Sequence, residues 1–169
     1  MKISMYAMTV ETFVPTLGAL GKMLDKAAQH AAARKFDPAV LVQARLAPDM
    51  FPLVKQVQIA CDFAKNSTAR LAGQDPPRFE DNEQTIDELK ARIARTLDYV
   101  RGVKASAFEG AEDRDIKIPL PNGPALEFKG LNFLREWSLP NFYFHAVTAY
   151  ALLRHNGVDV GKRDWLGQV

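Results

Sequence analysis

The sequence predicts an all-α fold, an up-down four-helix bundle, with a short β-hairpin between the third and fourth helices. In four long segments the apolar residues recur at steps of three and four, the spacing of one helix face. Between the third and fourth segments the apolar spacing changes to two, the spacing of a strand. Because consecutive long helices with apolar stripes pack side by side, a bundle is the expected architecture.

The composition is that of one ordinary globular domain. A chain of 169 residues is within the usual domain size, and 47% apolar with 25% charged residues is enough to build a core. The 22 Lys and Arg against 20 Asp and Glu leave a net charge of +2, too small to indicate nucleic acid or an anionic membrane surface as a partner. We therefore expect a single domain over 1–169 with neither of these partners.

Location is predicted from two further features. The N-terminus has no uninterrupted apolar segment of the kind found in secretory signals, and no segment approaches about 18 consecutive apolar residues. Cys61, the single cysteine, cannot form an intramolecular disulfide and lies in an apolar stretch, which indicates a buried structural thiol. We expect a cytoplasmic protein.

The first helix is predicted from a stripe that runs Val10, Phe13, Leu17, Leu20, Leu24, Ala27 and Ala31. Its start is open, because Pro15 is tolerated in a first turn begun near Thr12 but would kink a helix begun near Ser4. His30 is expected to end this helix, where the helix dipole favours a cation.

The second helix is predicted from the stripe Met50, Leu53, Val57, Ala60, Ala64, Ser67 and Leu71. Asp49 is expected to be its N-cap, and Gly73 is expected to end it. The third helix opens with a capping box, Thr85 to Glu88, and continues with the stripe Ile86, Leu89, Ile93, Leu97, Val100 and Val103.

The hairpin is predicted where Ile116, Ile118 and Leu120 alternate with other residues, "PNGP" turns the chain, and Leu126 and Phe128 alternate again. Prolines on both sides of the turn discourage further strands, so the hairpin is expected to be a lid or brace.

The fourth helix is expected to begin near Leu131 and end at Gly157, with a kink at Pro140. On a helical wheel one face combines polar and apolar side chains: Leu134, Trp137, Ser138, Asn141, Phe144, His145, Thr148, Ala151, Leu152 and His155. His155 lies in the last turn, where it is expected to interact with the helix dipole. A second apolar side, formed by Phe142, Ala149 and Leu153, is the surface that a homodimer would use.

This face offers a candidate site. Asn141 and His145 are four residues apart, so they project from adjacent turns, the spacing of two metal ligands on one helix. By residue type alone, however, His145 is more often a hydrogen-bonded core histidine. Gln56 flanks the second helix's apolar seam and could reach into the bundle, whereas Gln58 points away from it. No nucleophile motif, phosphate-binding glycine loop or cysteine pair is present.

The stretches "PDMFPLVKQVQIACDFAKNSTARLAG" and "LPNFYFHAVTAYALLRHNGVDVGKRDWL" resemble the DinB-like superfamily, in a domain-of-unknown-function branch. In metal-binding members a histidine on the second helix joins two histidines four apart on the last helix. The resemblance places His145 on the second of those two positions and Asn141 on the first. The second-helix position falls near Gln56 or Gln58, and helix geometry favours Gln56. It also implies metal-dependent transferase or hydrolase-like relatives and helix-mediated dimers.

Three functions stay open from the sequence. The first is a small-molecule-binding bundle with a degenerate metal site and no cofactor. In it His145, Asn141, Gln56, Thr148 and Trp137 line a pocket. The second is a metal-dependent enzyme in which His145 holds a divalent ion such as zinc or nickel. The third is a structural or interaction protein that works as a homodimer.

Overall fold

The computed structural model describes residues 3–120 and 122–167. Its helices and strands are, in chain order, α1 (Met5–Arg34), α2 (Ala39–Val42), α3 (Leu53–Leu71), α4 (Ile86–Gly102), β1 (Asp115–Ile118), β2 (Leu126–Lys129), α5 (Gly130–Asn132), α6 (Leu139–His155) and α7 (Lys162–Trp165). Helix α3 packs against α4 and α6, and α1 packs against the same two helices from the other side. The predicted helical bundle with a late hairpin is confirmed.

Helix α1 settles the boundary that the sequence left open. Ser4 is its N-cap and accepts a hydrogen bond from the backbone N–H of Ala7, so Pro15 lies in the helix interior. The helix continues to Arg34, past the predicted end at His30. The ring of His30 packs instead edge-on to Phe36, with centroids 5.7 Å apart.

Helix α3 begins later than predicted. Its N-cap is Pro52, in an extended conformation with ψ 167°, and not Asp49, so the expectation for Asp49 was wrong. Proline is compatible with this position because its missing N–H would have no helical partner there. Before it lies α2, whose single turn buries Leu41 and Val42 but is too short to show a periodic pattern.

Helix α4 has the predicted capping box. The hydroxyl of Thr85 accepts from the backbone N–H of Glu88 at 3.2 Å, and the carboxylate of Glu88 accepts from the backbone N–H of Thr85 at 2.9 Å. The hydrogen bond from the backbone N–H of Gln84 lowers the pKa of Glu88 most, and hydrogen bonds with the side chain and backbone of Thr85 lower it further. The sequence signature and the observed cap agree.

The hairpin is antiparallel, with Ile118 paired to Leu126 and Asp115 paired to Lys129. Strand β1 ends at Ile118, so Leu120 lies outside it and is 38% exposed. Part of the predicted "PNGP" turn, at position 121, lies outside the described residues. Ile116 is buried and joins the hairpin to the core.

The fourth helical segment starts at Gly130 and contains a distortion. Residues Phe133–Ser138 form a π-helix between α5 and α6, and Pro140 lies in the first turn of α6. Proline has no N–H to donate to the carbonyl of Glu136, so the regular hydrogen-bond ladder is broken just before it. The predicted irregularity is present as a π-helical segment on the N-terminal side of Pro140.

The side of α6 predicted to form a dimer interface lies inside the bundle. Phe142, Ala149 and Leu153 are at most 1% exposed. Phe142 packs edge-on against Phe13 of α1, with ring centroids 4.7 Å apart. That assignment was wrong because helices on both sides cover α6; the homodimer itself stays a prediction.

The chain returns to the bundle after α6. Trp165 of α7 is half-buried beside Tyr150, with ring centroids 6.2 Å apart, and Asp164 forms an ion pair with Lys26 of α1 at 2.5 Å. Among the residues that the structure describes, no helix is both long and apolar enough to cross a membrane.

Candidate functional site

A hydrogen bond joins the two residues that the sequence analysis placed on opposite helices. Nδ1 of His145 on α6 lies 2.8 Å from Oε1 of Gln56 on α3. Gln56 is 2% exposed, and its Nε2 donates to the backbone carbonyl of Phe51 at 3.1 Å. The α3 and α6 stripes therefore bring Gln56 and His145 together.

The amide orientation fixes the tautomer of His145. Since the Gln56 amide nitrogen donates to Phe51, its oxygen is left as the acceptor for the imidazole. Nδ1 of His145 must then carry the proton, and Nε2 keeps its lone pair. Burial lowers the pKa of His145, which favours this neutral form.

Aromatic rings pack around the imidazole. Phe63 of α3 stacks on it, with centroids 6.1 Å apart and an interplanar angle of 15°. Phe144 contacts it edge-on at 5.2 Å and is itself 59% exposed. His145 is therefore half-buried among aromatic groups.

Asn141 is half-buried and lies one turn before His145, but its amide is used within its own helix. Nδ2 donates to the backbone carbonyl of Trp137, the residue before Ser138 at the end of the π-helix, at 2.7 Å. Thr148 is used in the same way, since its hydroxyl donates to the carbonyl of Phe144 at 2.6 Å. Both hydrogen-bond donors are thus turned back to the helix that carries them.

Trp137 lines a cavity beside the histidine. The cavity has a volume of about 170 Å³ and lies between α3, strand β1 and the π-helix. Its walls are Asp62, Phe63, Asn66, Ser67, Arg70, Ile118, Phe133 and Trp137. Phe63 belongs both to this wall and to the stack on His145, so one aromatic ring connects the two features.

The donor set does not fit a tightly held divalent metal. Among the described residues, no three His, Cys, Asp or Glu side chains are grouped so that they could hold an ion. The three positions implied by the resemblance offer one imidazole and two amides, and amide oxygens bind zinc or nickel weakly. The Gln56 oxygen already accepts from His145.

A buried ionic network also lies between α3, α4 and the connection that precedes α4. The guanidinium of Arg92 is fully buried and pairs with Asp62 at 3.0 Å, with Asp81 at 2.9 Å and with Glu83 at 3.1 Å. Gln58 is 1% exposed and donates to Glu83 at 2.7 Å. Gln58 was expected to point away from the apolar seam; it is buried and bonded to the connection that precedes α4.

This network was not predicted from the sequence. Its available signal was that Arg92 lies three residues after Leu89 and four before Thr96, on the face that α4 buries. Nearby, burial raises the pKa of Cys61 to about 12, so the thiol is not ionised at neutral pH. The expected buried structural cysteine agrees with this environment.

The comparisons with known proteins agree with this architecture. A family model described as a domain of unknown function, DUF1993, matches residues 5–166. The fold is similar to the crystal structure of a DinB family member protein from Shewanella denitrificans, with a TM-score of 0.86 and 45% sequence identity, covering 95% of this chain and 90% of that one. No curated protein matches the chain.

The fold, with its histidine on the last long helix, is therefore that of a DinB-like helical bundle. Within this class the chain belongs to the DUF1993 family. The resemblance read from the α3 and α6 sequences is confirmed at the level of superfamily and branch.

Proposed function

We propose that this protein is a small-molecule-binding bundle in which the position of a metal ligand, His145, serves as a hydrogen-bonding group. The observation that carries the proposal is the 2.8 Å contact between Nδ1 of His145 and Oε1 of Gln56. This contact engages the amide oxygen of Gln56 with the imidazole and orients the ring. In a metal-binding relative the side chain at the position of Gln56 would have to be free to bind the ion.

The cavity next to this pair is the proposed binding site. It combines an aromatic wall, Phe63 and Trp137, with a few polar groups, Asn66, Ser67 and Arg70. Small-molecule sites usually have this composition, in which apolar surface supplies most of the affinity and a few polar groups orient the ligand. A volume of about 170 Å³ limits the ligand to a small organic molecule.

A π-helix borders this site, which also supports the proposal. Ser138, its last residue, is buried and donates a 2.6 Å hydrogen bond to the hydroxyl of Ser67 on the cavity wall. Phe133 and Trp137, from the same π-helix, line the cavity. Such segments interrupt the regular hydrogen bonds of an α-helix and are frequent at functional sites.

Metal content tests the histidine's role. Protein purified without chelator should contain zinc, nickel and iron far below one equivalent, and His145→Ala should leave these contents unchanged. Elemental analysis by mass spectrometry measures both. Stoichiometric metal that is lost in His145→Ala would overturn the proposal in favour of a metal-dependent enzyme.

Ligand binding tests the cavity's role. A panel of small planar probes of different charge, benzoate, benzyl alcohol and benzylamine, is titrated while the indole N–H resonance of Trp137 is followed by NMR. Trp165→Phe, in α7, assigns the resonance because the chain has two tryptophans. At least one probe should shift it saturably, and Phe63→Ala should weaken the shift. No response to any probe would overturn the proposed function.

A further inference from the structure

Arg70 is a half-buried cation that has no partner among the residues the structure describes. It lies in the last turn of α3 and lines the cavity with Phe63 and Trp137. Within residues 3–120 and 122–167 its guanidinium makes no hydrogen bond or ion pair. Arg92, by contrast, is surrounded by three carboxylates.

We propose that Arg70 binds the carboxylate of a small organic acid whose planar apolar body packs against Phe63 and Trp137. This inference rests on the proposed function and specifies its ligand class. The opposite charge comes from the ligand because the described part of the chain supplies none.

Partial burial of the unpaired Arg70 charge is unfavourable. A buried charge is normally paired, since burial removes its hydration and only a counter-charge or hydrogen bonds replace that interaction. Burial lowers the pKa of Arg70, and no neighbouring carboxylate offsets that effect. An anion in the cavity would restore a charge-assisted hydrogen bond.

The acidic residue on the same wall does not take this role. Asp62 also lines the cavity, but its Oδ1 already pairs with Lys65 at 2.9 Å and with Arg92 at 3.0 Å. The charge of Asp62 is thereby compensated by these two cations. The guanidinium remains available to a ligand.

The composition of the wall selects a monocarboxylate. One guanidinium matches the two oxygens of one carboxylate in a fork geometry. A second charge, as on a phosphate dianion, would find no second cation on the wall and would lie near Asp62. The rings of Phe63 and Trp137, which contact each other with centroids 6.5 Å apart, give the cavity an aromatic wall that favours a planar apolar body on the acid.

Benzoate is the test probe, with benzyl alcohol and benzylamine as neutral and cationic matches. In the Trp165→Phe protein, benzoate should shift the Trp137 indole resonance saturably, and its Kd should be at least about tenfold lower than that of either match. Arg70→Gln should raise the benzoate Kd at least about tenfold and leave the benzyl alcohol Kd unchanged.

Arg101→Gln is the control variant. Arg101 also lies in the last turn of a helix, α4, but is exposed and does not line the cavity. Arg101→Gln should leave the benzoate Kd unchanged. Circular dichroism melts check folding. If Arg70→Gln does not fold, Arg70→Lys replaces it. Its increase in the benzoate Kd should be smaller than that of Arg70→Gln, because lysine keeps the charge and loses only the fork.

The outcomes separate this inference from the proposed function. Benzyl alcohol binding as tightly as benzoate, with no effect of Arg70→Gln, would overturn the carboxylate assignment and leave a small-molecule site. Equal weakening of benzoate by Arg70→Gln and Arg101→Gln would overturn it as well, because that result indicates general surface charge.

Discussion

The imidazole of His145 and the side-chain amide of Gln56 form one hydrogen-bonded unit across α6 and α3, with Nδ1 and Oε1 2.8 Å apart. The unit needs a proton on Nδ1, which both the neutral and the protonated imidazole can supply. The hydrogen bond therefore does not oppose protonation at Nε2, and burial alone lowers the pKa of His145.

Stability should depend on pH through His145. Its folded pKa lies below its unfolded value of about 6.5, so the unfolded chain binds the extra proton first as the pH falls. The wild-type free energy of unfolding should therefore decrease as the pH falls below about 6.5, and it should decrease less in His145→Gln. Urea denaturation of both proteins at about pH 7.5 and about pH 5.5 measures the difference; equal losses would contradict the prediction.

Gln56→Glu should reverse the direction of the His145 pKa shift. A carboxylate at this distance from the imidazole favours its charged form and typically raises a histidine pKa by about 1 to 3 units. An NMR titration of the His145 Cε1–H resonance measures the change. Gln43→Glu, at an exposed position after α2, is the control and should not move the pKa. An unchanged pKa in Gln56→Glu would mean that the two side chains are not in contact in solution.

Arg92→Met should strongly destabilise the fold. Its removal leaves Asp62, Asp81 and Glu83 without their shared buried cation, a loss expected to cost about 3 to 5 kcal/mol. Urea denaturation gives the free energy of unfolding. The exposed Arg101→Met is the control and should change it by less than about 0.5 kcal/mol. Similar small effects of both substitutions would show that the network contributes little.

The hydroxyls of Ser67 and Ser138 should be energetically coupled. Oγ of Ser138 donates to Oγ of Ser67 at 2.6 Å, and both side chains are buried. Either single alanine substitution leaves the other hydroxyl without this partner and should cost about 1 to 3 kcal/mol. The double variant should cost less than the sum of the two singles, which a double-mutant cycle measures. Strict additivity would argue against the bond.

Gly130→Ala should be poorly tolerated. A Cβ atom there would overlap the backbone carbonyl oxygen of Ala111, which cannot move without shifting the backbone, and we expect a cost above about 3 kcal/mol. Gly18→Ala is the control, because a Cβ in that helix interior meets nothing within 4 Å. It should stabilise the protein by about 0.5 to 1 kcal/mol. Thermal and urea denaturation measure the change in the free energy of unfolding, which should have opposite signs in the two variants.

Much of the fold could be predicted from the sequence because its signals are local. The apolar stripes and the box at Thr85 and Glu88 identify the long helices, and a change of period identifies the hairpin. The start of α3 was misplaced because Asp49 and Pro52 both suit a helix N-terminus, and their local preferences do not choose between them.

The site could be predicted only in part. Gln56 and His145 lie on the facing stripes of two adjacent helices, so their meeting follows from helix geometry together with the resemblance. The partners of Arg92 could not be predicted, because its contacts with Asp62 and Asp81 depend on how separate segments are arranged in three dimensions. The unpaired state of Arg70 likewise appears only when every neighbouring side chain is in place.

The π-helix sets the rotational phase of the last long helix. Its hydrogen bonds skip one residue more than those of an α-helix, so Phe133, at its start, is rotated relative to the residues after Pro140 by about 100°, the angle of one α-helical residue. One continuous helical segment thereby presents Phe133 to the cavity beside β1 while it presents His145 to Gln56. Deleting a single residue from Phe133–Ser138 would restore regular α-helical hydrogen bonds and turn the residues before the deletion to another side. The cavity wall and the ring stack on His145 could then no longer share the Phe63 ring.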